Sequence, residues 1–310
     1  MNVGRVGLVL LAALAALVGI RTFAQGPPGG GPPRTDIGGD WSSVVNEDAP
    51  HRGPGPELGD YTGLPINDAD RQKAESWNAD VLSQPERQMQ AHPAQYWIRG
   101  PQPSIRILRV LDPVTQQLVA YTVAGGFGRA DRVVWMDDRP HPSDYSEHTW
   151  DGFSTGRWED GQLAVTTTHM KQGVIQRNGA ATSPYGVMTE HWFRHGRYLT
   201  MFWSVDDPIF LEEPFVRTHT WALNLQGFAD PTGGNAFEAV DELAGKSLGW
   251  VPFFPLGTKH PEFAEAHNLP FKATQGGREN MYPEFMDKIR QYAQEEAAEK
   301  EAAVPKGPAR

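Results

Sequence analysis

Two stretches decide the fold: HTWDGFSTGRWEDGQLAVTTTH (His148–His169) and MTEHWFRHGRYLTMFWSVDDP (Met188–Pro208). In each, side chains of like character return at every second position, which is the period of a strand and not of a helix. Tight turns interrupt the runs at Glu159-Asp160-Gly161 and at Gly196-Arg197, so each stretch reads as a hairpin. With the second turn placed there, Glu190, Trp192 and Arg194 share one strand face, with Leu199, Met201 and Trp203 opposite them.

Working outward, the same period recurs in Ile105–Val110, Leu118–Val123, Arg132–Met136, Val174–Arg177 and Phe215–Leu223. Close spacing and short links imply antiparallel neighbours, and the expected fold is mainly β: an antiparallel, lipocalin-like barrel or strongly curved sheet, with N- and C-terminal helical or irregular extensions. A helix is expected over Asn67–Leu82, capped by Asn67 and stopped by Pro85, with a short helical piece at Glu86–Ala91 and a terminal helix over Pro283–Ala303. Asp230–Asn235 reads as a turn-rich loop.

The N-terminus has the form of an export leader. Arg5 precedes a 15-residue apolar run, Val6–Ile20, and Thr22-Phe23-Ala24 places small residues before a cleavage point at Gln25. The run is short of the ~20 residues a membrane span needs, so no stable membrane insertion is expected once the leader is cut. The organisation is then a signal peptide over 1–24, a Pro/Gly linker over 25–34, an irregular and helical segment over 35–103 packing on the barrel, the barrel over 104–225, and an extension over 226–310. The expected location is periplasmic or secreted.

The formal charge of −10 and the lack of a basic stripe exclude a nucleic-acid surface. With no Cys in the chain, disulfides, thiolate nucleophiles and Cys-ligated zinc are excluded as well. There is no dinucleotide fingerprint, P-loop or HExxH spacing, and neither cofactor nor metal is expected. Strand-borne His could meet a divalent ion only by converging from several strands, and separate hydrogen-bonded His is the favoured reading. Gly152-Phe153-Ser154-Thr155-Gly156 spells G-x-S-x-G, but strand and turn follow it where a nucleophile elbow needs a helix; its glycines read as a bend.

The segment from about Arg132 to Arg217 resembles a family of uncharacterised exported bacterial proteins that share a pattern like WMDGRPHP, GxSxGxWEGDTLVVxTT, TExxxR and DP. This chain carries WMDDRPHP (Trp135–Pro142), GFSTGRWEDGQLAVTTT (Gly152–Thr168), TEHWFR (Thr189–Arg194) and DDP (Asp206–Pro208). It departs at Asp138, where Gly is usual, at Glu159-Asp160-Gly161, and at Met89, where Cys is expected. The resemblance implies a lipocalin-like barrel and brings no established activity.

The residues themselves suggest a small, partly apolar molecule held in a Trp- and His-lined pocket, with cofactor-independent acid/base chemistry such as hydration, lyase, isomerase or hydrolytic action. Candidate catalytic groups are His141, His148 and Glu190; a carboxylate buried on an apolar face has its ionisation shifted toward use as an acid or base. Candidate binding groups are Arg139, Trp150, Ser154, Trp158, His169, Trp192, Arg194 and Trp203, with Arg139 or Arg194 holding an anion. Pro140 and Pro142 would display Arg139 and His141 in fixed geometry. The alternatives are a non-catalytic small-molecule carrier or sensor, and a structural envelope protein.

Overall fold

A computed structural model describes residues 36–44, 55–78, 91–99, 104–125, 131–227 and 254–303. The expected leader and linker, residues 86–90 and the loop Asp230–Asn235 lie outside them.

Nine strands close into a barrel in the order β1-β11-β10-β9-β6-β5-β4-β3-β2. In chain order these are β1 (Gly39–Ser43), β2 (Ile105–Leu111), β3 (Leu118–Gly125), β4 (Arg132–Trp135), β5 (Phe153–Glu159), β6 (Gln162–Thr168), β9 (Val187–His195), β10 (Tyr198–Asp206) and β11 (Phe215–Leu223). The remaining strands, β7 (Gly173–Val174) and β8 (Ala181–Thr182), form a separate two-stranded piece.

The two hairpins fold as their turns dictate. Asp160 and Gly161 both have positive φ (47° and 83°), the requirement of a two-residue turn matched to strand twist. Gly196 alone carries positive φ (58°) in the other turn. That turn sets Arg194 opposite Leu199, Trp192 opposite Met201 and Glu190 opposite Trp203, as the alternation predicts.

Three features differ from the sequence expectation. First, β4 and β5 pair in parallel, Val134 with Ser154 and Trp135 with Thr155, so the barrel is mixed. The link over 136–152 is long enough to return along the outside of the barrel, and a parallel pair needs such a crossover. Second, the barrel draws in β1 from the segment expected to be irregular, and β1 closes it between β2 and β11. Third, Val174–Arg177 is a strand only at its start, and the first helix, α1 (Asp68–Glu75), is shorter than expected. Asn67 caps α1 through its side chain, but Ser76 turns its backbone N–H and hydroxyl to Lys73 and ends it.

The lumen is packed with side chains. Trp41, Trp192, Trp203, Trp221, Met188 and Met201 belong to one buried apolar cluster, and Trp192 stacks on Trp221 with ring centres 5.3 Å apart. At the rim with the hairpin turns, the Arg194 guanidinium lies over Trp41 and donates to the Asp36 carbonyl at 3.0 Å. At the opposite rim, helix α2 (Ala94–Trp97) brings Trp97 against Gly125. Arg99 there lies over Trp203 and donates to the Ile175 carbonyl. Asp70 and Asp207, both buried, accept backbone N–H groups of Ala181 and Ser183 and so pin β8. C-terminal to the barrel lie α3 (Glu262–Ala266) and α4 (Phe285–Ala303), and α4 has no buried residue.

Candidate functional site

The wall made by β5 and β6 carries hydroxyls on both faces, and alternation sorts them. Ser154 and Thr167 point inward and are buried. They meet Arg132, which enters the lumen from the first position of β4: its Nε donates to Ser154 Oγ at 3.0 Å and its Nη2 to Thr167 Oγ1 at 2.7 Å. The same guanidinium makes two parallel bonds to Glu190, Nη1 to Oε1 at 2.9 Å and Nη2 to Oε2 at 2.6 Å. Arg132 and Glu190 are 1% and 0% exposed. Fork-to-fork pairing with hydroxyls on the remaining positions is what a buried ion pair needs to offset its desolvation. Four of the five guanidinium N–H donors are engaged in this way, which makes Glu190 one half of a structural pair.

The outer face is different. Thr155 and Thr168 point outward, and the crossover loop lays His141 between them. His141 Nδ1 is 2.8 Å from Thr168 Oγ1, and Nε2 is 2.8 Å from Thr155 Oγ1. Phe153 meets the ring edge-on at 5.2 Å. Burial, and then the nearby His169, hold the His141 ring below the usual histidine range. Thr168 Oγ1 also lies 2.7 Å from His169 Nδ1, and His169 Nε2 lies 2.9 Å from the Ser143 carbonyl. His148 is next to this group: its ring centre is 5.2 Å from that of His169, and its Nδ1 donates to the Met170 carbonyl at 3.0 Å.

Above Thr155 the loop and the wall enclose an open cleft of about 200 Å³, lined by Asp138, Arg139, Thr155, Gly156, Arg157, Ala164 and Thr166. Arg139 lies flat over the Trp135 ring and is held by Asp137 through bonds of 2.8 and 2.5 Å. That pairing keeps the Asp137 carboxyl below the usual carboxylate range. Two further clefts, of about 570 and 360 Å³, lie against α4 and are lined by mixed charges. All three lie outside the lumen.

The residues expected to form a site therefore separate into groups. His141, His148, His169 and Arg139 come together on the outer wall. Glu190, Ser154, Trp192 and Trp203 are inside the barrel. Arg194 is at the far rim, where it closes the fold against Trp41. Trp158 is partly buried against the core. Trp150 is buried outside the lumen, where Lys171 approaches its ring and its carbonyl accepts the Ala94 N–H. Arg139 pairs with its neighbouring Asp while still presenting its guanidinium to the cleft. Among the described residues no three His, Asp or Glu side chains converge as a metal would require. Sequence reasoning missed Arg132, Thr155 and Thr168. The signal for Arg132 was its place as the one charge on a short apolar strand, RVVW, on the same face as Val134; for the threonines it was the even–odd split of Thr166-Thr167-Thr168.

No family model, no curated protein and no solved structure matches this chain. The geometry carries the functional reading.

Proposed function

We propose that the protein binds a small, partly apolar carboxylic acid on the outer wall of its barrel and moves a proton on it, with Thr155 and His141 as the proton-handling pair. The observation that carries this reading is the double role of Thr155, which lines the cleft and whose hydroxyl is hydrogen-bonded to His141 Nε2 at 2.8 Å. A hydroxyl and a ring nitrogen within this reach, the ring oriented from its other side, form the constellation of general acid–base chemistry. Arg139 supplies the anion contact through Nη1, since Asp137 takes its Nε and Nη2. Gly156 and Ala164 are the small residues of the cleft's lining. Its volume is below the ~300–1,000 Å³ of drug-sized pockets, which limits the ligand to a compact acid.

The reading includes export, supported by Arg5, the apolar run Val6–Ile20 and Thr22-Phe23-Ala24. Mass spectrometry of the mature chain should then find Gln25 at its N-terminus, and an intact Met1 in localised protein would overturn that part. A structural envelope role is the second reading, and the packed lumen favours it over a carrier that houses its cargo inside.

The binding test is nuclear magnetic resonance of the labelled full-length chain titrated with isobutyrate and benzoate. Amides of Thr155, Ala164 and Thr166 and the Arg139 Nε–H should shift together, while the indoles of Trp192 and Trp203 stay still. Arg139→Gln should weaken binding by about tenfold, the worth of one charge-assisted hydrogen bond. Shifts at the lumen tryptophans, or no shift at the cleft at millimolar acid, would leave the structural reading.

A further inference from the structure

A hydroxyl has one proton to donate. Thr168 Oγ1 stands within hydrogen-bond reach of two ring nitrogens, His141 Nδ1 at 2.8 Å and His169 Nδ1 at 2.7 Å, so it donates to one and accepts from the other. The choice is made at the far side of His169. There Nε2 faces the Ser143 carbonyl at 2.9 Å, and a carbonyl only accepts, so Nε2 carries the hydrogen. In the uncharged ring Nδ1 is then bare and takes the Thr168 proton. Thr168 must accept from His141, which places the His141 hydrogen on Nδ1. His141 Nε2 is left as a bare lone pair aimed at Thr155.

We infer that His169 is a positioning residue: acting through Thr168, it fixes His141 in the tautomer that accepts a proton from Thr155. This rests on the reading of Thr155 and His141 as the proton-handling pair.

The backbone of His169 supports the assignment independently. Its φ is +60°, a left-handed conformation that costs a side chain bearing Cβ and persists only where the surroundings over-determine it. Here they do. The Thr149 N–H bonds to the His169 carbonyl at 2.9 Å and the Lys171 N–H to the Thr149 carbonyl at 2.8 Å, while His148 packs on the ring from the loop side. A strand continued in the ordinary conformation would carry residue 169 onward along β6. The left-handed turn instead brings its ring back beside the preceding threonine. An Asn would satisfy this backbone conformation more readily, but it could not span Thr168 and the Ser143 carbonyl with two fixed ring nitrogens.

The test is the tautomer of His141, read from ring ¹⁵N shifts and long-range couplings in the full-length chain without ligand. The wild-type ring should be protonated at Nδ1. In His169→Asn, which tolerates the backbone conformation, and in Thr168→Val, which keeps the β-branched shape and leaves His169 in place, the ratio of the Nδ1–H to the Nε2–H form should fall by about tenfold, the worth of one hydrogen bond. A merely structural His169 would leave that ratio unchanged. The inference is overturned if His141 stays protonated at Nδ1 in His169→Asn, even where Thr168→Val shifts it, or if the wild-type ring carries its hydrogen on Nε2. Failure of isobutyrate and benzoate to bind, with the tautomer still following His169, would instead sink the functional reading and leave the coupling intact.

Discussion

Arg132 and Glu190 stand 58 positions apart in the chain and meet inside the barrel through two parallel hydrogen bonds of 2.9 and 2.6 Å. Neither strand borders the other: β5 and β6 lie between β4 and β9. The pair therefore runs along the inner wall across β5 and β6, whose Ser154 and Thr167 it also engages, and it ties four consecutive strands to one register.

Breaking that pair from one side should be severe. Glu190→Gln leaves the Arg132 charge buried without a counter-charge, and unfolding in urea should register a loss of about 3–5 kcal/mol. Replacing both partners, Arg132→Met with Glu190→Leu, should recover most of the loss, because Ser154 and Thr167 already bond each other at 2.9 Å and would keep a partner. A double variant as unstable as the single one would mean that the two groups do not act as a pair.

The depressed His141 ring gives stability a pH dependence of known sign. Between its folded-state value and the ordinary 6.5, the unfolded chain binds the proton and the folded chain does not, so stability rises with pH through that window. The contribution is fully present above 6.5 and is lost as pH falls toward the folded value. Urea midpoints of wild type and His141→Gln, compared from pH 5 to 7.5, should differ in slope in this sense. Parallel slopes would remove the shift.

Gly152 and Gly161 both have positive φ, 66° and 83°, but their surroundings differ. A Cβ at Gly161 would meet open space, whereas at Gly152 it would fall 2.6 Å from the Thr168 carbonyl oxygen and 2.7 Å from Met170 Cγ. Gly161→Ala should cost about 1–2 kcal/mol, the strain of the left-handed conformation alone. Gly152→Ala should cost more and should also move the ring resonances of His141, because it lifts the crossover loop off the end of β6. Equal costs, with His141 unmoved, would show that the loop is not seated through Gly152.

How much of this was legible in the sequence depended on range. The hairpin of β9 and β10 could be read to the residue, since alternation and one two-residue turn fix its register. The burial of Glu190 followed from the same pattern, but its partner did not: Arg132 comes from β4, which reaches the same wall only through its parallel pairing with β5. β1 was missed because Gly39–Ser43 has a single inward hydrophobic residue, Trp41, and therefore no visible period. The parallel pairing of β4 and β5 was hidden by reading the 136–152 link as one more short connection. For the site, the sequence placed His141 on a rigid loop and threonines on a strand. It could not say that the loop would lie against the outer wall, nor that His169 would adopt a backbone conformation that turns its ring back. Such contacts are set by tertiary packing, which leaves no periodic trace.

The seam at β1 has a consequence for how the molecule assembles. Trp41 is paired with Leu223 on one flank and Ile105 on the other, so a strand made among the first must wait for one made much later before the ring can shut. Contacts of such long range form late and slowly. Until they form, β2 and β11 expose unpaired edges that another chain could extend. Five residues then hold the circle closed. Amide hydrogens of β1 and its two flanks should be the first in the barrel to exchange with solvent, marking the place where the ring opens before the rest of it unfolds.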